Sequence, residues 1–271
     1  MSQALAYKGI KLRKTPPERP TTRRNLETIK TAIREFTLTQ ETTRAIWKGL
    51  RKKSIRARVQ QFLYKSIHGT YKIGPYWSNI PGYEPRGECS LCHTIESMDH
   101  ILITCSSTPV NTIWTLAQEL WPHAPELWPN INIGTILGCG SLTNPEEEEH
   151  SQHEDEDDDA SIRRKNTKKG MERLRQILIS EAAHLIWVMR CERVINEQSH
   201  TPNEVESRWL KAINARLTED KIQATKIKRA KTSVKLVRYT WETTLRKRTP
   251  IPRDWVYIRE VLVGRGVQRP T

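Results

Sequence analysis

Residues 87–105 read GECSLCHTIESMDHILITC, and this stretch decides how the rest of the chain has to be built. Three of the five cysteines and two histidines fall between positions 89 and 105, and four of these residues, Cys89, Cys92, His100 and Cys105, stand in the spacing C-x2-C-x7-H-x4-C. Two thiolates separated by two residues grip one ion from a tight turn, and a His and a Cys on a short, loosening helix supply the other two corners of a tetrahedron. Ser97 suits the N-cap of that helix and Asp99 its positive end. Four such ligands fill the shell and leave no position for water, so the spacing predicts one structural zinc ion and argues against hydrolytic zinc. His93 competes as a ligand, but adjacent residues rarely reach one tetrahedron, and His100 is preferred. The other readings are buried cysteines beside an unrelated histidine, or a disulfide. Five cysteines and the lack of a visible export signal disfavour the disulfide. Cys139 and Cys191 lie in apolar surroundings and read as core.

Working outward, helical spacing dominates. Leu26, Ile29, Ile33 and Phe36 mark one helix. In the next, Ile46, Trp47 and Leu50 oppose Arg44, Lys48, Arg51 and Lys52. A third starts near Ser54, turns Val59, Phe62, Leu63 and Ile67 inward, and stops at Gly69. The aromatic stretch 71–87 is broken by glycine and proline and reads as an ordered loop into the finger, residues 87–106. TPVNTIWTLAQELWP at 108–122 gives another helix, and WPNINIGTILGCG at 128–140 a packed connection. A long helix runs from about Met171 to Asn196. TPNE at 201–204 opens the following one, with Thr201 as N-cap, Pro202 at the first position and Glu204 completing a capping box.

These readings give a mostly α chain in four segments: a flexible basic arm at 1–20, a helical bundle with the embedded finger at 21–142, a disordered charged linker at 143–169, and a C-terminal helical region at 170–271. The linker follows from composition, since its two charge blocks hold almost no core residues to offset the entropy of ordering.

The charge is +14, unevenly spread. Residues 146–159 hold ten of the 31 acids, which leaves 45 basic against 21 acidic residues elsewhere, an excess of +24. A folded body with that excess attracts polyanions. Arg44, Lys48, Arg51, Lys52, Lys53, Arg56 and Arg58 gather just upstream of the finger with Trp47 and Tyr64 interleaved, which suits phosphates and unpaired bases. A solvated basic face with no partner is the alternative, and Trp47 reads better as core. The basic residues from Lys226 to Arg248 form a second candidate face. Nothing resembles a base-reading code, so weak sequence preference is expected, on RNA or DNA alike. No apolar run reaches the ~20 residues of a membrane span. The stretch from Met1 to Asn25 carries no secretory h-region, and the expected location is intracellular, in the nucleus. No polymerase aspartate pair, phosphate-binding glycine loop or Ser/His/Asp arrangement is present, so neither an enzyme nor a small-molecule substrate is expected.

The block from Trp47 to Cys105 resembles the zinc-binding region at the C-terminal end of non-LTR (LINE-type) retrotransposon reverse transcriptases. The carriers are IWKGLR at 46–51, FLYKSIHGTYKIGPYW at 62–77 and ESMDHILITC at 96–105. Fungal members are similar further on, through ELWP, INIGTILGCG, ILISEAAHLIWVMRCERV and DWVYIREVLVG. The finger spacing departs from the shorter retroviral knuckle. The resemblance implies a module that follows polymerase and ribonuclease H modules and binds nucleic acid during copying and insertion; with no catalytic motif in the chain, it reads as a non-catalytic one. The rival reading is a structural or protein-interaction module in which zinc only holds the fold together.

Overall fold

The computed structural model describes residues 2–14, 19–145, 158–226, 233–246, 251–258 and 260–264. It is mostly helical, and pairing between extended segments is confined, among the described residues, to two isolated bridges, Glu88 to Ile95 and Leu245 to Val263.

Helix α1 (Gln3–Lys14) is followed by α2 (Pro20–Thr37), α3 (Thr43–Leu50) and α4 (Ala57–Ile67). Proline stands at the first position of α2, where its missing N–H loses nothing, and Leu26, Ile29 and Ile33 bury its inner face. Thr42 caps α3 by accepting from the Ala45 N–H at 3.1 Å. Asn25 ties α2 to the end of α4 by donating to the Ser66 and Ile67 carbonyls. Gly69 ends that element in the left-handed region (φ 60°), the stop expected of it.

The aromatic loop contains the single turn α5 (Pro75–Ser78), then the finger, then α6 (Thr108–Glu119). The packed connection holds α7 (Ile133–Leu137), closed by a capping box between Asn132 and Thr135. The turn after it meets α3 at glycine: a Cβ on Gly140 would sit 2.2 Å from the Gly49 carbonyl oxygen, so only glycine allows that approach.

Helix α8 (Asp158–Asn196) runs through the centre, and residues 173–183 are buried on every side, the signature of an internal helix. Helix α9 (Pro202–Lys226) begins with the expected capping box: the Thr201 N–H donates to Glu204 at 2.8 Å, and the Glu204 N–H donates back to Thr201 Oγ1 at 3.4 Å. Val205, Trp209, Ile213 and Leu217 bury one of its faces. Helix α10 (Val234–Trp241) is capped by Ser233 and lies against α8.

The structure departs from the sequence expectation in three places. Residues 3–14 are a helix, exposed over positions 3–11, rather than a loose arm, because Ala, Leu, Lys and Arg all favour helix. Of the expected linker, residues 146–157 lie outside the described residues, whereas 158–169 are the first turns of α8. Exposed Arg, Lys and Ala extend that helix, and Asp159 sits at its positive end. Third, no boundary separates two helical cores among the described residues. One hydrophobic core runs from Leu26 to Val263 and takes in α2, α4, α6, α8, α9 and α10.

Candidate metal centre

The finger is built from two pieces of irregular backbone. In the first, the Cys89 N–H donates to the Thr94 carbonyl at 2.8 Å, and the His93 N–H returns to the Cys89 carbonyl at 2.8 Å. His93 takes a positive φ of 53° to close this turn, which aims Cys89 and Cys92 the same way. The second piece starts where Ser97 Oγ accepts from the His100 N–H at 2.9 Å, the capping role expected of it. The chain from His100 to Thr104 is a single π turn, and the Cys105 N–H bonds to the His100 carbonyl at 2.8 Å. That wide turn puts the fourth and the third ligand on one side.

Cys89, Cys92, His100 and Cys105 converge with their ligand atoms all within 4.8 Å of one another. The Cys105 sulfur lies 3.8 Å from Cys89 Sγ and 3.8 Å from Cys92 Sγ. A tetrahedral ion with metal–sulfur bonds of about 2.3 Å separates its sulfurs by about 3.8 Å. The histidine agrees. Its Nδ1 faces the hydroxyls of Thr104 (3.3 Å) and Thr94 (3.5 Å), whereas Nε2 is buried with no hydrogen-bond partner. An orphaned ring nitrogen beside three thiols fits an ion ligand, with the Nδ1 side fixed by the threonines. The four residues could hold one metal ion.

The thiols are held differently. Burial opposes the Cys89 thiolate, but the neighbouring His100 ring and the Leu91 and Cys92 backbone bring its pKa below the usual cysteine range. The Ser106 hydroxyl (3.1 Å) and N–H (3.3 Å) lower that of Cys92. Burial raises that of Cys105. Cys139 is fully buried and pushed up to about 12, an inert core thiol as its surroundings suggested.

Around the ligands stands a clamp from α8 that no local sequence pattern announces. Glu96 is buried in the finger and takes a two-pronged ion pair from Arg190, whose Nε donates at 3.1 Å while Nη2 meets Oε2. Arg193 lies 4.0 Å from Glu96 and donates to Ser90 Oγ at 2.9 Å and to Cys89 Sγ at 3.8 Å. A guanidinium on a ligating sulfur tempers the negative charge that three thiolates would place on one ion. From the other side, Trp114 of α6 donates to the Leu102 carbonyl at 2.8 Å.

The predicted basic face divides. Arg44, Lys48, Arg51, Lys53 and Arg58 are exposed, and none forms an ion pair among the described residues. Lys52 is half-buried, and burial lowers its pKa. Arg56 is committed elsewhere: its Nε donates to Glu181 of α8 at 2.6 Å, a buried structural pair. Trp47 is half-buried and stacks on His68 at 5.3 Å, as its reading as core implies, while Tyr64 beside it is exposed. No helix among the described residues is long and apolar enough to cross a membrane. No protein-family model, curated protein or solved structure matches this chain.

Proposed function

We propose that this protein is a non-catalytic nucleic-acid-binding module of the nucleus whose finger is closed by one structural zinc ion. Three thiols and one imidazole at tetrahedral spacing are the donor set that zinc prefers, with no open position for substrate or water. The observation that carries the binding role is the sorting of the cations. Inside the fold Arg56, Arg173, Arg190 and Arg216 meet carboxylates and Arg175 meets carbonyl oxygens, whereas Arg44, Lys48, Arg51, Lys53 and Arg58 stand exposed along one short stretch, with no ion-pair partner among the described residues. Unpaired surface cations in that density are what a phosphate backbone binds, with little dependence on base identity. The absence of catalysis is supported by the buried acids Glu96, Glu181 and Asp220, each of which faces an arginine, so none is left over as a general base. The resemblance of residues 47–105 to the retrotransposon zinc-binding region points the same way.

The test is a titration with single- and double-stranded RNA and DNA at two salt concentrations. Affinity falls steeply with salt, and each neutralised member of the exposed set flattens the log–log slope by about 0.7–0.9. Binding that ignores salt, or that survives neutralisation of all five residues, refutes this face as the binding surface and favours a protein-interaction role.

A further inference from the structure

A concave surface lies on the far half of the chain, between the first turns of α8, helix α10 and the turn at Trp255–Tyr257. It is a cleft of about 630 Å³ whose walls include Arg163, Lys235, Arg238, Glu242 and Tyr257. The close packing of α8 on α10 makes its floor rigid: a Cβ on Gly170 would sit 2.4 Å from the Tyr239 carbonyl oxygen, so only glycine lets the two backbones meet. Three cations and one carboxylate line the cleft. Arg163 and Lys235 are exposed and make no ion pair among the described residues. Arg238 is anchored by donating from Nη2 to the Arg253 carbonyl, yet its Nε is buried with no partner, a donor still lacking an acceptor. At the rim the ring of Tyr257 is 63% exposed.

We propose that this cleft binds a single-stranded segment of nucleic acid, with one phosphate against Arg163, Lys235 and Arg238 and an unpaired base stacked on Tyr257. The inference deepens the nucleic-acid reading above and rests on it. Its volume falls in the ~300–1,000 Å³ range of ligand sites, enough for one nucleotide and its flanking phosphate. Cations that track a backbone beside an exposed aromatic ring are the combination by which single strands are held without sequence readout. Glu242 leaves the cleft with a surplus of two positive charges and offers an acceptor to a sugar hydroxyl or base amine. An acidic peptide would satisfy the cations but would make no use of the tyrosine ring.

The test uses the full chain and fluorescently labelled oligomers of uridine and of thymidine, with a duplex of equal length as control. Arg163, Lys235 and Tyr257 are exposed, so their variants should fold, which circular dichroism checks. Tyr257→Ala is expected to weaken single-strand binding by about 5- to 150-fold and leave the duplex within about twofold, with Tyr257→Trp restoring affinity. The double variant Arg163→Gln/Lys235→Gln should flatten the single-strand salt slope by about 1.4. Single-strand binding that survives both sets of changes overturns the cleft as a site while leaving the broader reading intact. No binding of any nucleic acid by the unaltered protein overturns both. A labelled Glu/Asp decapeptide that binds, is lost in the double variant and ignores Tyr257→Ala assigns the cleft to acidic peptides and also overturns the proposal.

Discussion

Replacing Glu96 by alanine should damage the fold and the metal site together, by amounts that can be worked out in advance. The carboxylate is 1% exposed and its partner Arg190 is 10% exposed, so the substitution leaves a guanidinium buried without its counter-charge. Breaking a buried pair from one side costs about 3–5 kcal/mol. The cluster suffers separately, because Arg193, which reaches both Glu96 and the Cys89 sulfur, loses the carboxylate that orients it. Loss of outer contacts of this kind lowers metal affinity by about 10- to 100-fold. With metal in excess, that loss removes a further ~1.4–2.7 kcal/mol of linked stability. Urea unfolding of metal-free and metal-loaded protein separates the two effects, and competition with a chromophoric chelator reads the affinity directly. The double variant Glu96→Leu/Arg190→Leu should recover most of the metal-free stability, since an apolar pair of similar volume replaces a buried ion pair at little cost. A single-variant loss below ~1 kcal/mol, or unchanged metal affinity, would show that the clamp neither supports the fold nor positions the ligands.

Metal analysis should find one equivalent per chain, Cys105→Ser should abolish it, and Cys139→Ala should leave it intact, because only Cys105 points into the cluster. Asp220→Ala should cost at least about 3–5 kcal/mol in urea unfolding, since a wholly buried carboxylate that serves Arg173, Arg216 and the Trp241 N–H disappears; Asp220→Asn should cost less by keeping one acceptor. His184 should make stability depend on pH. Burial first, then the cations of Arg58 and Arg56, depress its pKa from 6.5 to about 4, with Glu181 one turn away already engaged by Arg56. The unfolded chain therefore binds the proton more readily, so this contribution is complete above pH ~6.5 and lost as pH falls toward 4. His184→Gln should flatten the stability profile in that window, and an unchanged profile would place the ring in water.

The Cys/His cluster was legible because its chemistry is local. Cys89, Cys92, His100 and Cys105 share one short stretch of chain, and a tetrahedron restricts which spacings can close. The helix faces were legible for a related reason, since Leu26, Ile29 and Ile33 declare their side through a period of 3.6 residues. What failed was anything that depended on a distant partner. Arg56 looked like its neighbours Arg51 and Arg58, and only the fold brings Glu181, 125 residues away, against it. Glu96 and Arg190 are 94 residues apart and carry no shared pattern. The helix from Asp158 misled for a different reason: composition reports the absence of core residues, but a helix nucleated in a buried segment propagates outward at little cost per residue.

The buried arginines also bear on what the excess charge does. Helix α8 carries Arg173, Arg175 and Arg190 into the interior, where Asp220 and Glu96 meet two of them. Arg175 instead finds the Leu127 and Leu142 carbonyls, the Asn144 side chain and the face of Phe36, and burial lowers its pKa to about 10. Each internal ion pair uses one acid for one base, so pairing leaves the net charge unchanged. It removes acids from the surface, where they would otherwise screen the exposed cations. The excess is thereby concentrated on side chains such as Lys48, Arg51, Lys235 and Arg163, which have no ion-pair partner among the described residues. Exposed charges act over about 8 Å at physiological salt, so local density matters more than the total. The ion pairs that hold the core together thereby consume acids that would otherwise screen these exposed cations, which is what the proposed binding of a polyanion requires.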